Sequence, residues 1–193
     1  MAITIDGSSG IASVDGSAGS PSVRGSDANS GILYAADAIK FSTGGTQRAI
    51  IDNNGLSAAG HFIQVVETIT TSHITKTSAQ QITELNRTIT PRSSSNKILL
   101  ICDLGCVSAD SAADIGVVFT LGGNNINDSL GASASAVNAS NVPGMNFGGT
   151  YAQCAFFYYI HSPSSTSELT YGVKAYPNGS RTMYINRRGA DGT

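Results

Sequence analysis

The sequence predicts an all-β protein in two unequal parts, a thin Gly- and Ser-rich segment over residues 1–60 and a β-sandwich over residues 61–193. Three observations carry this. Charged residues make up only 12% of the chain, about half the usual share for a globular protein. There are only three Glu, too few for long solvated helices, which want Glu and Lys. The 22 Gly come with abundant Ser, Thr and Asn, the short polar side chains of strand surfaces and tight turns.

Bulk charge excludes some functions. The formal net charge is −2, so no basic field attracts nucleic acid or an anionic membrane. The longest apolar runs, such as Ile98 to Cys102, are too short to insert into a bilayer. Met1 to Asp6 lacks the basic and apolar regions of a signal peptide. An exterior location would therefore be reached by a route other than secretion.

Residues 1–60 hold apolar side chains in ones and twos, among them Ile3, Ile5, Ile11, Val14, Val23, Ile39, Phe41 and Ile51. Turn chemistry follows each: Asp6-Gly7, Asp15-Gly16, Gly44-Gly45 and Asn53-Asn54-Gly55. Strands of about three to five residues result. Sixty such residues cannot bury a useful core alone. The segment is either disordered or buries its sparse apolar residues against copies of itself. Even spacing of single apolar residues favours the second, and a three-fold intertwined stalk lets three weak stripes share one core.

Residues 61–193 carry longer patterns. Phe62 to Thr70 alternates, with Ile63, Val65 and Ile69 on one face. Thr77 to Leu85 fits a short helix by spacing, but its Thr and Ile content favours strand and loop. Leu85 to Thr90 is a short strand closed by Pro91. Lys97 to Val107 has a continuous apolar centre, Ile98 to Ile101, and is expected to be buried on both faces. Ile115 to Leu121 alternates and ends at Gly122-Gly123; Tyr151 to Ile160 is the most aromatic stretch; Leu169 to Ala175 and Met183 to Ile185 alternate again. About seven strands with turn signals between them are the pattern of a sandwich or jelly roll. The long Asn-, Ser-, Ala- and Gly-rich stretch from Gly122 to Gly149 is either an exposed recognition surface or an ordinary crossover.

No catalytic or metal constellation emerges, and the chain is expected not to be an enzyme and to bind no cofactor. Histidines stand only at 61, 73 and 161, and His161 precedes Ser162-Pro163, so it reads as a turn residue. There is no HExxH, CxxC, phosphate-gripping loop or G-x-S-x-G elbow. Carboxylates such as Glu84, Asp103, Asp110 and Glu168 form no tight pair in sequence, although a glycosidase pair at about 5–10 Å could still arise in space. Cys102 and Cys106 would share one strand face about 13 Å apart, beyond disulfide reach. Cys154 could bridge to either; all three are expected to be reduced, small apolar core residues.

Residues 15–55 resemble the stalk module of bacteriophage fibre proteins, notably those of marine phages. The recurring pieces are Gly16-Ser17…Pro21, Gly-x-Asp-x-Asn-Ser/Thr-Gly-Ile (Gly25 to Ile32), Ala-Asp-x-Ile-x-Phe-Ser-Thr-Gly-Gly (Ala36 to Gly45) and Ile-Asp-x-x-Gly (Ile51 to Gly55). The C-terminal part is similar to the heads of the same group. It matches through Ile89-Thr-Pro with Ser93 to Leu100, Ser162-Pro with Leu169 to Val173, and Tyr184-Ile-Asn-Arg. The resemblance implies a homotrimeric virion fibre, assembled in the host cytoplasm and displayed on the particle exterior. Its knob would be a trimeric jelly roll like those of C1q and tumour-necrosis-factor domains. Expected partners are two further copies, other tail or head proteins through the N-terminal segment, and a host surface glycan or protein. The alternative is a head or tail decoration protein with a purely structural role. Similar heads continue past the Asn-Arg segment into one more strand, so either this head closes differently or the chain is shortened at Thr193.

Overall fold

A computed structural model describes residues 4–6, 10–12, 15–58, 60–111, 113–126, 145–147, 151–177 and 180–188. Among them every regular element is a β-strand, and every pairing is antiparallel. The all-β expectation therefore holds. The chain divides into two units, Met1–Val65 and Val66–Thr193.

The first unit opens with two small hairpins. β1 (Thr4–Asp6) pairs with β2 (Gly10–Ala12), and β3 (Gly16–Ser17) with β4 (Ser20–Pro21). A five-stranded meander follows: β5 (Val23–Arg24), β6 (Gly31–Ala35), β7 (Ala38–Thr43), β8 (Thr46–Asp52) and β9 (Gly55–Ala58), each beside the next. Local chemistry sets its turns. Between β7 and β8, Gly44 and Gly45 have φ of +57° and +73°, the doubly positive pair that a type I′ hairpin needs. Between β8 and β9 the Asp52 carboxylate accepts from the Asn54 N–H at 2.8 Å. Between β5 and β6 the Asp27 carboxylate accepts from the Asn29 N–H at 3.2 Å. A hydrogen bond from the Ser30 side chain, then that Asn29 bond, holds the Asp27 carboxyl below its ordinary 3.8.

The second unit has two sheets. The first contains β10 (Ile74–Lys76), β12 (Ile98–Ala109), β16 (Gln153–His161) and β18 (Met183–Ile185), in the order β10-β18-β12-β16. The second contains β11 (Gln80–Ile89), β13 (Ala113–Leu121), β14 (Asn124–Asn125) and β17 (Leu169–Pro177), in the order β11-β17-β13-β14, with β15 (Met145–Phe147) also on β13. Both sheets feed one core. Leu100, Leu104, Val107, Phe157, Met183 and Ile185 come from the first, and Ile82, Ile115, Val117, Phe119, Val173 and Ala175 from the second. The Phe119 and Phe157 rings meet between them at 4.6 Å. Gly172 keeps β17 low beneath an amide network: a Cβ there would strike the side chains of Asn86 and Gln81. Those two amides hydrogen-bond each other at 2.9 Å, and Gln81 donates to the Thr120 hydroxyl at 2.8 Å.

Thr77 to Leu85 is loop and strand, as its Thr and Ile content favoured, with β11 starting at Gln80. Phe62 to Thr70 alternates as expected but lies in no strand. Side chains tether its second half instead. Thr68 donates to the Glu84 carbonyl at 3.2 Å, and Arg87 to the Glu67 carbonyl at 2.8 Å. Asn186 donates to the carbonyls of both Thr70 and Ser72 at 3.0 Å. The stretch Gly122 to Gly149 contributes a tight Gly122-Gly123 turn, β14 and β15. Residues 127–144 and 148–149 of that stretch, and the question of the chain end beyond Arg188, fall outside the described residues.

Asn186 also sits at φ +62°, where Asn is better tolerated than other side chains. Asn186→Ala is expected to cost about 1–3 kcal/mol from two stranded carbonyl bonds plus backbone strain. Asn186→Gly removes the bonds and keeps the backbone, and should recover part of that loss. Thermal unfolding and amide exchange over residues 66–73 measure both; equal effects of the two substitutions would refute the strain component.

Candidate interaction surfaces

Register places most apolar residues of the meander on one side, with Leu33 and Ile50 on the other. Val23 lies opposite Ile32, Ile32 opposite Phe41, and Phe41 opposite Ala49; Tyr34 lies opposite Ile39, Ile39 opposite Ile51, and Ile51 opposite Leu56. Residues directly opposite in a sheet share a face, as do those two apart along a strand. All of these therefore project from a single face. It is substantially open to solvent, with Ile51 42% and Leu56 60% exposed. The opposite side of the sheet carries Leu33 and Ser42, both buried. The Ser42 hydroxyl is the one buried side-chain polar atom without a partner among the described residues.

A second open face lies on the first sheet of the second unit. Leu99 is opposite Ile160, Ile101 opposite Tyr158, and Asp103 opposite Phe156. These side chains point away from the core that takes Leu100, Cys102, Leu104 and Phe157. Ile101, Phe156 and Tyr158 are each at least 60% exposed. The expectation that Lys97 to Val107 is buried on both faces is thus corrected. From Leu99 to Asp103 the core lies on one side of β12 only and the other side is open to solvent, while Val107, Ser108 and Ala109 past the bulge are all buried. The signal was in the sequence, as the apolar run Ile98 to Ile101 and the aromatic run Phe156 to Tyr159. An apolar run does not say whether its second face is buried by the same chain.

The three thiols are free and lie in different settings: Cys102 is buried, Cys106 half-buried and Cys154 exposed. So Cys154 is no core residue. It lies on the same outward row of β16 as Phe156, and its Sγ donates to the Gly105 carbonyl at 3.0 Å. Cys102 and Cys106 do not share a face, because a bulge between Leu104 and Val107 shifts the alternation. Burial first, and the Asp103 charge second, push the Cys102 thiol up to about 12. Burial alone pushes the Tyr171 phenol up to about 12. Both groups stay protonated in the folded chain, while the unfolded chain ionises them from their ordinary 9.0 and 10.0. Their stability contribution is complete below pH 9 and is lost as pH rises to about 12. Urea unfolding between pH 8 and 11 should show this fall, and Cys102→Ala should flatten its lower part.

His161 is the last residue of β16 and not a turn residue. Its Nδ1 lies 2.7 Å from the Tyr171 hydroxyl, tying the edge of one sheet to the other. Asp110 also has a structural role, its carboxylate accepting from the Thr182 N–H at 3.1 Å. Among the described residues, no group of three or more His, Cys, Asp or Glu is placed to hold a metal ion. No helix among them is long and apolar enough to cross a membrane. The chemistry these surfaces offer is apolar contact.

No protein-family model matches the sequence, and no curated protein matches it significantly.

Proposed function

We propose that this chain belongs to the self-assembling structural proteins, those whose fold is completed by other copies. Within that class we take it as a fibre subunit of a bacteriophage virion, a homotrimer with residues 1–60 as stalk and residues 61–193 as a distal knob. The observation that carries this is the open apolar face of the meander. A single sheet with one bare apolar face leaves its main hydrophobic surface in water, and three copies can bury three such faces against each other. Strand order supports the knob reading. In chain order β10 to β13 run A to D, β14 and β15 stand at the E position, and β16 to β18 run F to H. The sheets then read A-H-C-F and B-G-D-E, the interleaved order of a jelly roll. The motif resemblance supplies the phage assignment.

The mechanism is adhesion. Weak knob contacts with a host surface glycan or protein, repeated over three chains and several fibres, raise avidity by about 10²–10⁴ without any tight single site. Three measurements test the reading. The purified chain should sediment at three times its 19.8 kDa mass. Cryo-electron microscopy of the particle should show it in a projecting fibre, and antibody against residues 61–193 should block adsorption. A folded, stable monomer overturns the assembly. Density embedded in the capsid or tail body, with no free knob, assigns the chain to decoration instead.

A further inference from the structure

We propose that Cys106 and Cys154 form a redox pair, two reduced thiols that close into one cross-strand disulfide when the folded chain meets a small-molecule disulfide. This goes beyond the fibre reading and does not depend on it. The bulge in β12 brings the two residues together. Leu104 faces Ala155 and Val107 faces Gln153, so Gly105 and Cys106 together stand against the single residue Cys154. Facing residues in antiparallel strands lie about 4.5–5.5 Å apart at Cα, inside the roughly 4.4–6.8 Å that a disulfide spans. Without the extra residue, Cys106 would point into the core with Cys102. With it, half-buried Cys106 and exposed Cys154 share the outward face.

Three further observations support the pairing. The Cys154 Sγ already lies at the bulge, donating to the Gly105 carbonyl one residue from Cys106. A Cβ added at Gly105 would meet nothing within 4 Å, so the space over the bulge is free for the Cys154 side chain to turn. The Asn186 N–H donates to the Cys106 carbonyl at 2.9 Å, which fixes the backbone on that side. Closure then needs only rotation of two side chains. The exposed Cys154 thiolate attacks the small disulfide, forming a mixed disulfide and expelling one thiolate. The Cys106 thiolate next attacks the Cys154 sulfur, forming the Cys106–Cys154 bond and expelling the second. The two cysteine protons end on the two departing thiols. The pair is oxidised by two electrons and the small disulfide reduced by two. Cys102 takes no part, being buried on the other face. In a reducing compartment the pair stays open, and in an oxidising one it closes.

The test is incubation of the folded full-length chain with oxidised glutathione, followed by thiol counting and non-reducing peptide mass mapping. Two of the three thiols should disappear into one intramolecular Cys106–Cys154 link, with Cys102 left free. The link closes the long path through β13, β14 and β15. It should raise the unfolding midpoint by roughly 5–15 °C, a gain that a reductant removes. Cys106→Ser should stop the reaction at the mixed disulfide on Cys154. Glutathione that persists on Cys154 of the wild-type chain to the same degree as in Cys106→Ser overturns the proposal. So does a Cys154–Cys154 link between chains that leaves Cys106 free, or any link through Cys102. None of these outcomes touches the sedimentation and microscopy that test the fibre reading.

Discussion

Ile39→Asp combined with Ile51→Asp is expected to make the proposed homotrimer fall to single chains at about 1 μM. The two residues are directly opposite on β7 and β8, at the centre of the open face. Two carboxylates placed there repel each other across the ladder. If three copies bury this face, six charges enter one core, each desolvated without a partner. Sedimentation over a concentration series reads the result. An assembly that keeps its mass on dilution with both aspartates present rules out the meander as the interface. The same double change should leave the second unit folded, because its core is built wholly from residues after Val66.

Phe119→Ala is expected to lower the unfolding free energy by about 3–5 kcal/mol. Phe119 and Phe157 are each 5% exposed, come from different sheets, and meet at 4.6 Å between ring centres. Truncation removes the inter-sheet contact and leaves a cavity bounded by two sheets that cannot close on it, since each is held by its own ladder. Phe119→Leu keeps most of the volume and should cost about 1.5 kcal/mol or less. Urea unfolding with an unchanged slope separates a stability loss from a change in the unfolded chain. A cost for Phe119→Ala no greater than that for Phe119→Leu would show that the two sheets do not depend on this contact.

Much of the fold is legible locally. Gly44-Gly45 and Gly122-Gly123 mark type I′ hairpins because few other residue pairs accept two positive φ values in a row. The alternation of Leu169 to Ala175 appears as β17, and the few Glu residues agree with the lack of helix among the described residues. Phe62 to Thr70 shows the limit of this reading. Its alternation is genuine, but a strand needs a backbone ladder, and beside the edge strand β11 this segment is held by side-chain bonds with Glu84 and Arg87 instead. His161 shows another: its neighbours Ser162 and Pro163 point to a turn, while a tyrosine ten residues later, on the other sheet, makes it an inter-sheet contact.

The sequence alone determined that this protein is built of short antiparallel strands and that its first sixty residues are too poor in apolar side chains to bury a core of their own. Period, turn chemistry and composition are properties of neighbouring residues, so they can be read along the chain. Only the tertiary structure decided which side of each apolar strand faces the core and which faces water. That depends on register and on a partner sheet many residues away. For β12 and β16 the answer is one covered face and one bare face, and for the meander the apolar face is the bare one. The thin segment's sparse apolar residues thus become a particular open surface, running from Val23 to Leu56 across five strands.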